Sequence, residues 1–181
     1  MSSDGPFTGL FVPEPIRGAT SEAAWLQAML DAEAALAAAE AEAGLIPNEA
    51  AEAIAAACEA GGFDPGAIAR DGRETGNPVP PLLTALRGKL EEDPAGFVHR
   101  GATSQDVMDT AAMLVSSRAL GLIQAELDGV AAACAGLADE HRGTVMAGRT
   151  LLQQALPTTF GLKAAGWLDS LVGARERLAS L

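Results

Sequence analysis

Apolar residues recur at steps of three and four along most of the chain, which is the spacing of amphipathic α-helices. The first long pattern predicts a helix over residues 21–43, with Ser21 placed to cap its start and Gly44 placed to end it. Four apolar positions of this helix share one face and are expected to pack into a core. They are Trp25, Met29, Ala32 and Leu36.

Proline and glycine residues divide residues 47–96 into short segments. The apolar runs predict helices over residues 48–59, 65–69 and 82–90. The stretches richest in Gly, Pro and Asn are expected to be loops or turns, because these residues interrupt helices. They are residues 13–18, 72–81 and 93–96.

A longer pattern begins at Ser104 and continues to about His141 without a proline. Its apolar positions repeat every seven residues, which is typical of a helix in a bundle. The two rows are Met113, Leu120, Leu127 and Cys134, and Ile123, Val130 and Leu137. After a turn at residues 143–148, Pro157 is predicted to start another helix. The seam of that helix is Phe160, Ala164, Trp167, Leu171, Ala174, Leu178 and Leu181.

No segment shows a convincing alternation of apolar and polar residues, so the predicted fold class is all-α. We expect a small N-terminal helical domain over residues 1–103, followed over residues 104–181 by the first two long helices of a central helical bundle. Two long helices cannot bury both seams against each other, because a bundle needs about four helices around its core. We therefore expect both that the chain assembles with copies of itself and that it is the front part of a longer protein.

Composition and charge exclude some classes of function. The chain has 181 residues, of which 49% are hydrophobic and 4% aromatic, and its net charge is −12. Nucleic acid is not an expected partner, because binding it requires a basic surface. An anionic small molecule stays compatible with this charge, since a pocket can be locally positive in an acidic protein. Cys58 and Cys134 fit no metal-binding spacing, and no metal is expected.

The sequence predicts neither a membrane segment nor a signal peptide. No apolar run approaches the roughly 20 residues that a membrane span requires. The start of the chain, from Met1 to Pro6, is polar and lacks the basic and apolar regions of a signal peptide. We therefore expect a cytoplasmic protein with no membrane partner.

The segment from Phe97 to Ala111 carries the most chemistry, because it packs charged, amide and hydroxyl side chains into the start of the long helix. Unpaired backbone N–H groups and the helix dipole at such a position favour a carboxylate. The alternative is that Thr103 or Ser104 simply caps the helix, with Asp106 adding favourable charge in its first turn. The two roles are compatible. The candidate residues here are His99, Arg100, Thr103, Ser104 and Gln105.

Two further segments contain polar side chains in unusual density. One is the Gly/Pro-rich segment from Thr75 to Leu83, in which Asn77 is the candidate residue. The other extends from Gly148 to Gly161, and its candidates are Arg149, Thr150 and Gln154.

These three segments, in this order and spacing, resemble the fumarase/aspartase superfamily. Within it the chain is most similar to the bacterial 3-carboxy-cis,cis-muconate cycloisomerases, with the adenylosuccinate lyases as the nearest relatives. The resemblance runs from about residue 10 to the end, and its most specific part is the pattern His-x-Gly-Ala-Thr-Ser-Gln-Asp-x-x-Asp-Thr that begins at His99.

The resemblance implies a homotetramer in which segments of different subunits build each active site. Such enzymes abstract or add a proton next to a carboxylate and stabilise the resulting aci-carboxylate with fixed donors. It implies a small polycarboxylate substrate bound by Asn77, Arg100, Thr103, Ser104, Gln105, Arg149, Thr150 and Gln154. It also implies ring closure of 3-carboxymuconate to 4-carboxymuconolactone in protocatechuate degradation, with no metal and no other cofactor.

Two positions depart from the adenylosuccinate lyase pattern. Leu151 stands where those lyases have an acid–base histidine, and a leucine cannot transfer protons. Asn77 stands at the place of a second lyase histidine. His99 therefore becomes the candidate catalytic residue, since imidazole titrates near neutral pH. The alternative is that His99 only hydrogen-bonds the helix entrance, while His141 is expected to interact with a helix C-terminus.

The superfamily's serine-rich loop, Gly-Ser-Ser-x-Met-Pro-x-Lys-x-Asn, does not occur in these 181 residues. Because this loop supplies the serine thought to be the base, we expect the chain to be a catalytically inactive N-terminal fragment.

Two other hypotheses stay open at this point. One is a different lyase of the superfamily, such as adenylosuccinate or argininosuccinate lyase. The other is a non-catalytic helical module whose long seams bind partner helices. The module hypothesis predicts that Thr103→Ala or Gln154→Ala in the complete protein leaves function intact.

Overall fold

The structure, a computed structural model, describes residues 6–180. Sequence predictions that concern Met1 to Gly5 and Leu181 lie outside the described residues. Within them the fold is predominantly helical, as predicted, with one small sheet. The helices are α1 (Pro6–Phe11), α2 (Glu14–Ala19), α3 (Glu22–Glu42), α4 (Asn48–Ala57), α5 (Pro65–Thr75), α6 (Val79–Arg87), α7 (Glu92–Ala95), α8 (Ser104–Glu140) and α9 (Phe160–Ala179), and a 3-10 turn lies at Ala60–Gly62.

The chain divides into two compact units, one up to Ala119 and one from Leu120 onward. The boundary between these units falls within the continuous helix α8. The domain division expected from the sequence, between residues 103 and 104, stays a prediction.

Helix α3 has the predicted ends but a different buried face. The Ser21 hydroxyl accepts a hydrogen bond from the Ala24 N–H at 3.2 Å, and Gly44 has a φ of 71° just past the helix. Trp25 is exposed, so the predicted packing face is rotated by one position. The buried residues of the helix are Leu26, Ala28, Met29, Leu30, Glu33, Ala37 and Glu40.

A single hydrophobic core fills the first unit. It combines α3 and α4 with α6 and the first turns of α8, whose buried contributions are Val107, Ala111 and Val115. Val98, directly before the candidate helix entrance, is also part of this core. The entrance of α8 is therefore supported by packed side chains on its inner side.

Two predicted loops are largely helical. Residues 14–18 fall in α2, and most of residues 72–81 belong to the end of α5 and the start of α6. In each case a proline occupies the first turn of a helix, where it needs no hydrogen-bond partner for its missing N–H. The predicted turn at residues 93–96 likewise contains the short helix α7.

Helix α8 matches its predicted bounds but contradicts the expectation of no apolar segment of membrane-spanning length. By length and composition it could cross a membrane, with a mean hydropathy of 1.3 over its most apolar window, of which 6% is buried. Many Ala, Gly, Leu and Val residues and few charges produce this value. Bundle helices of soluble proteins have the same features, because their seams face other helices.

Residues 145–159 form a β-hairpin, where a turn up to residue 148 and a helix start at Pro157 were predicted. Strand β1 (Val145–Thr150) pairs antiparallel with β2 (Gln153–Thr159). The expectation that no segment forms a strand is therefore wrong here, while the all-α fold class is confirmed for the chain as a whole. Pro157 pairs with Ala147 in the sheet and does not start a helix. A two-stranded sheet has only edge strands, in which a residue without an N–H is tolerated.

Helix α9 begins three residues later than predicted, at Phe160. Thr159 caps it, since its hydroxyl accepts a hydrogen bond from the Leu162 N–H at 3.2 Å. Gly161 lies so close to the end of α8 that a Cβ there would be 2.7 Å from the Ala138 carbonyl oxygen. The ring of Phe160 also meets His141 edge to face, with 5.1 Å between centroids. These contacts join α9 to the end of α8 within the second unit.

Candidate carboxylate-binding site

Asp106, not Thr103 or Ser104, supplies the side chain that caps α8. Its Oδ2 accepts a hydrogen bond from the Thr103 N–H at 2.9 Å, and its own N–H donates to the Thr103 carbonyl oxygen at 3.1 Å. The hydroxyls of Thr103 and Ser104 make no hydrogen bond to any described residue. The cap thus leaves two hydroxyl donors beside the positive end of a long helix, which is a suitable arrangement for an anion.

Arg100 and Gln105 flank these hydroxyls. The Arg100 Nη1 donates to the Leu45 carbonyl oxygen at 3.2 Å, and its guanidinium carbon lies 5.9 Å from the centroid of the Phe97 ring. The Gln105 Nε2 donates to Asp109 Oδ1 at 2.6 Å. Both side chains are exposed, and a guanidinium has five N–H donors, so Arg100 retains donors for a ligand.

His99 is held by a buried carboxylate. Its Nδ1 lies 2.7 Å from Glu33 Oε1, and the two side chains are 13% and 1% exposed. The backbone of His99 has a φ of 62°, in the left-handed region that favours glycine. Its Nε2 makes no hydrogen bond within the part of the chain that the structure describes. Nδ1 is therefore bound to Glu33, and Nε2 is available to a substrate.

The surroundings of Glu33 contain groups that raise its pKa and groups that lower it. Burial raises the pKa of Glu33 above its ordinary value of 4.5, while His99 and Arg87 act to lower it and Glu40 to raise it. The Arg87 Nη2 also donates to the Val98 carbonyl oxygen at 2.9 Å. The segment that carries His99 is thus tied by side chains to both α3 and α6.

Asn77 has a structural role in the structure as it stands. Its Oδ1 accepts a hydrogen bond from the Val79 N–H at 2.9 Å and so supports the start of α6. Its carbonyl oxygen accepts one from the Thr75 hydroxyl at 2.8 Å. No hydrogen bond or ion pair joins Asn77 to the entrance of α8 among the described residues.

The third candidate segment lies at the end of the hairpin in the second unit. Arg149 pairs with Gln154 across the two strands, and Thr150 pairs with Gln153. All four side chains are exposed. The hairpin therefore brings together Arg149, Thr150 and Gln154, as a polar cluster.

The two residues at the hairpin turn are apolar. Leu151 and Leu152 have φ values of 46° and 61° and are 91% and 101% exposed. Leu151, which stands where the adenylosuccinate lyases have a histidine, thus lies fully in solvent in this chain.

Comparison with known proteins assigns the chain to a family. The family model described as Lyase matches residues 12–181 and so includes all three candidate segments. The chain belongs to the Lyase family. This confirms the resemblance to the fumarase/aspartase superfamily.

Individual relatives of this lyase-family chain differ in their reactions. It is 54% identical over 170 residues to a nitrosuccinate lyase from Streptomyces davaonensis, covering 92% of this chain and 36% of that protein. It is 45% identical over 179 residues to a 3-carboxy-cis,cis-muconate cycloisomerase from Pseudomonas putida, covering 97% of this chain and 42% of that protein. The crystal structure of the 3-carboxy-cis,cis-muconate lactonizing enzyme from Pseudomonas putida superposes with a TM-score of 0.95 at 43% identity, covering 98% of this chain and 41% of that one.

This lyase-family chain therefore spans about two fifths of the length of these relatives. The fold and the family are shown by the comparisons. The activity, substrate and partners of the whole protein are proposed below.

Sequence reasoning missed two features of this lyase-family chain. One is Glu33 as the partner of His99, and the other is Asp106 as the cap of α8. The signal for Glu33 was present in the heptad spacing of Leu26, Glu33 and Glu40, which places two carboxylates on a buried face. Asp106 follows Thr103 by three residues, which is the spacing of a capping box with the acidic residue reaching back.

Proposed function

We propose that the whole protein is a lyase that adds or removes a group next to a carboxylate of a small polycarboxylate substrate. The observation that carries this proposal is the family match across residues 12–181, together with the unengaged hydroxyls of Thr103 and Ser104 at the entrance of α8. In this proposal those hydroxyls bind a substrate carboxylate, and Arg100 and Gln105 add charge and hydrogen bonds around it.

The remaining candidates complete the site in this proposal. Arg149, Thr150 and Gln154 bind a second carboxylate from the end of the hairpin, and Asn77 contributes its amide group. His99 donates a proton to the substrate, or accepts one from it, through Nε2. We propose that these segments come from different subunits of a homotetramer, because the hairpin candidates and most candidates at the α8 entrance are exposed, and Asn77 is half-exposed. The chemistry requires no metal or organic cofactor.

Nitrosuccinate is the substrate that sequence identity favours. The 54% identity to a nitrosuccinate lyase exceeds the 45% identity to a cycloisomerase, over comparable shares of the chain. Removal of a proton from the carbon next to one carboxylate, with loss of nitrite from the adjacent carbon, would leave an unsaturated dicarboxylate. The carbanion formed in this step needs fixed donors on its carboxylate, and the α8 entrance supplies them.

Cycloisomerisation of 3-carboxy-cis,cis-muconate in protocatechuate degradation is the second candidate. It is favoured by the 0.95 TM-score to a lactonizing enzyme and by the apolar Leu151. In that reaction an internal carboxylate adds across a double bond to give 4-carboxymuconolactone. Both candidates share the step at the carbon next to a carboxylate and differ in the group that is exchanged.

A direct assay of the full-length protein separates these candidates. Nitrite release from nitrosuccinate and the loss of ultraviolet absorbance of 3-carboxymuconate are measured side by side. We expect kcat/KM for nitrosuccinate to be on the order of tenfold higher or more, which corresponds to about 1.4 kcal/mol of transition-state binding. The reverse preference would establish the cycloisomerase, and turnover of neither substrate would contradict the proposed polycarboxylate chemistry.

We also propose that the protein is soluble and cytoplasmic, although α8 has the length and hydropathy of a membrane span. The relatives with assigned activities are enzymes of small, water-soluble acids. In a tetramer the apolar seam of α8 would be covered by helices of other subunits.

A further inference from the structure

Glu33 is paired with His99 by a hydrogen bond, and the proposed reaction does not yet use it. Its side chain is 1% exposed and belongs to the buried face of α3. A carboxylate in such a place is unfavourable unless it is paired. The pairing partner is His99, which lies 66 residues away in the sequence and 2.7 Å away in space.

The other buried glutamate of the same face shows that this pairing is specific. Glu40 follows Glu33 by two helical turns, and its Oε2 has no hydrogen-bond partner among the described residues. The interior beside α3 therefore does not supply a partner to every buried carboxylate. His99 is brought to Glu33 by its own segment.

The backbone also fixes the position of the imidazole. His99 adopts a φ of 62°, which a residue with a Cβ rarely adopts, and Arg87 holds the carbonyl group directly before it. The ring is anchored through Nδ1, and the charged groups that act on Glu33 besides His99 are Arg87 and Glu40. With this anchoring, Nε2 is the ring nitrogen that stays available.

We propose that Glu33 is a positioning residue, whose carboxylate accepts the Nδ1–H of His99 and so presents Nε2 to the substrate. A partner on one ring nitrogen determines which tautomer the imidazole adopts. With the proton on Nδ1, the neutral ring accepts a proton at Nε2 and then donates a hydrogen bond from the same atom. The negative charge of Glu33 balances the imidazolium formed in that step. This assignment rests on the proposed function of His99.

The tautomer of His99 tests the positioning role without any assay of activity. The chain has two histidines, so long-range 15N–1H NMR spectra of the 181-residue chain contain two imidazole patterns, which a His141→Gln variant assigns. At alkaline pH, where imidazole is neutral, we expect the Nδ1–H tautomer for His99. Glu33→Leu should shift it toward the Nε2–H tautomer that free imidazole favours. Glu40→Leu, the matched control on the same face, should leave it unchanged.

The conservative variant keeps this test decisive if Glu33→Leu fails to fold. Glu33→Gln retains an oxygen that can accept the Nδ1–H, so it should retain the tautomer. An Nε2–H tautomer in the unmodified chain, or one that Glu33→Leu does not change, would overturn the proposal.

Kinetics of the full-length protein test the consequence for the reaction. We expect Glu33→Leu to lower kcat by on the order of tenfold to a hundredfold, as loss of an orienting partner does for metal-bound histidines, with less effect on KM. Glu33→Gln should recover part of the loss in kcat, and Glu40→Leu should have a kcat close to that of the unmodified enzyme. Equal losses in the two leucine variants would indicate a merely structural role and overturn the proposal. An inactive unmodified enzyme would contradict the proposed function instead, while the tautomer result would stand.

Discussion

The glutamates at positions 33 and 40 differ only in what surrounds them. Both lie on the buried face of α3, but only Glu33 meets a histidine. Glu40 has a carboxylate oxygen that is buried and without a hydrogen-bond partner among the described residues. A buried, unsatisfied polar atom is unfavourable, so Glu40 is expected to weaken the fold, whereas the carboxylate of Glu33 is paired.

We therefore predict that Glu40→Leu stabilises the chain. Removing the unsatisfied carboxylate should raise the free energy of unfolding by about 1–3 kcal/mol, because the penalty of its desolvation is lost. Urea unfolding followed by circular dichroism measures the change. Glu42→Leu, two residues further on at an exposed position, is the control and should have little effect. Destabilisation by Glu40→Leu would mean that this carboxylate has a partner in solution.

Cys58 gives a pH-dependent prediction at the same scale. Burial, followed by the nearby charges of Glu33, Asp31 and Glu59, raises the pKa of its thiol from 9.0 to about 12. A raised folded-state pKa means that the folded form keeps the proton longer than the unfolded form. Stability should therefore be unaffected below pH 9 and decline between about pH 9 and pH 12.

The measurement is the urea midpoint as a function of pH in the unmodified chain and in Cys58→Val. The variant lacks the thiol and should lose less stability across this range. Identical slopes in the two proteins would contradict a strongly shifted thiol.

At the scale of elements, the junction between α8, the hairpin and α9 is set by close packing. Gly161 approaches the last turn of α8, and its N–H donates to the His141 carbonyl oxygen at 2.9 Å. Any side chain at this position would have to displace backbone atoms of α8, since its Cβ would lie 2.7 Å from the Ala138 oxygen.

Gly161→Ala is accordingly predicted to destabilise the second unit by about 1–3 kcal/mol, which is the usual effect of overpacking. Gly166→Ala is the matched control on the same helix, since nothing lies within 4 Å of its Cβ position. Alanine favours helix over glycine there, so the control should gain roughly 0.5–1 kcal/mol. Hydrogen exchange of α9 amides measures both changes. Equal protection in the two variants would contradict the close approach.

The ends of α3 and the length of α8 were predictable because they depend on local signals, whereas α2 was missed and α5 and α6 differ in extent from the helices predicted there. Ser21 and Gly44 delimit α3, and the absence of proline marks the length of α8. The hairpin was not predictable in this way, since Pro157 has the same local meaning at a helix start and in an edge strand. The contact of Glu33 with His99 joins distant segments, and nothing in their local sequence specifies it.

The candidate site was predictable only in part, for the same reason. Its residues could be named from the order and spacing of three segments. The Asp106 cap has the three-residue spacing of a capping box, so a local signal for it exists. The partner of His99 could not be named, because Glu33 lies 66 residues away in the sequence. Such pairings depend on the packed structure.

At the scale of the whole molecule, the second unit leaves much apolar surface exposed. Large side chains such as Ile123, Val130, Leu162 and Trp167 are exposed on α8 and α9. Surfaces of this kind mark sites of association with other polypeptide. They support the proposal that helices of other subunits cover them and that each active site is shared between subunits.

Complementation between two variants of the full-length protein tests that claim most directly. Thr103→Ala removes a donor at the entrance of α8, and Gln154→Ala removes one from the hairpin. Each variant alone should lose activity by on the order of tenfold or more. Co-expressed in the same tetramers, they should regain activity, because some sites then receive both unmodified segments from different chains. Single variants as active as the unmodified enzyme, or mixed tetramers no more active than either variant alone, would contradict the shared site.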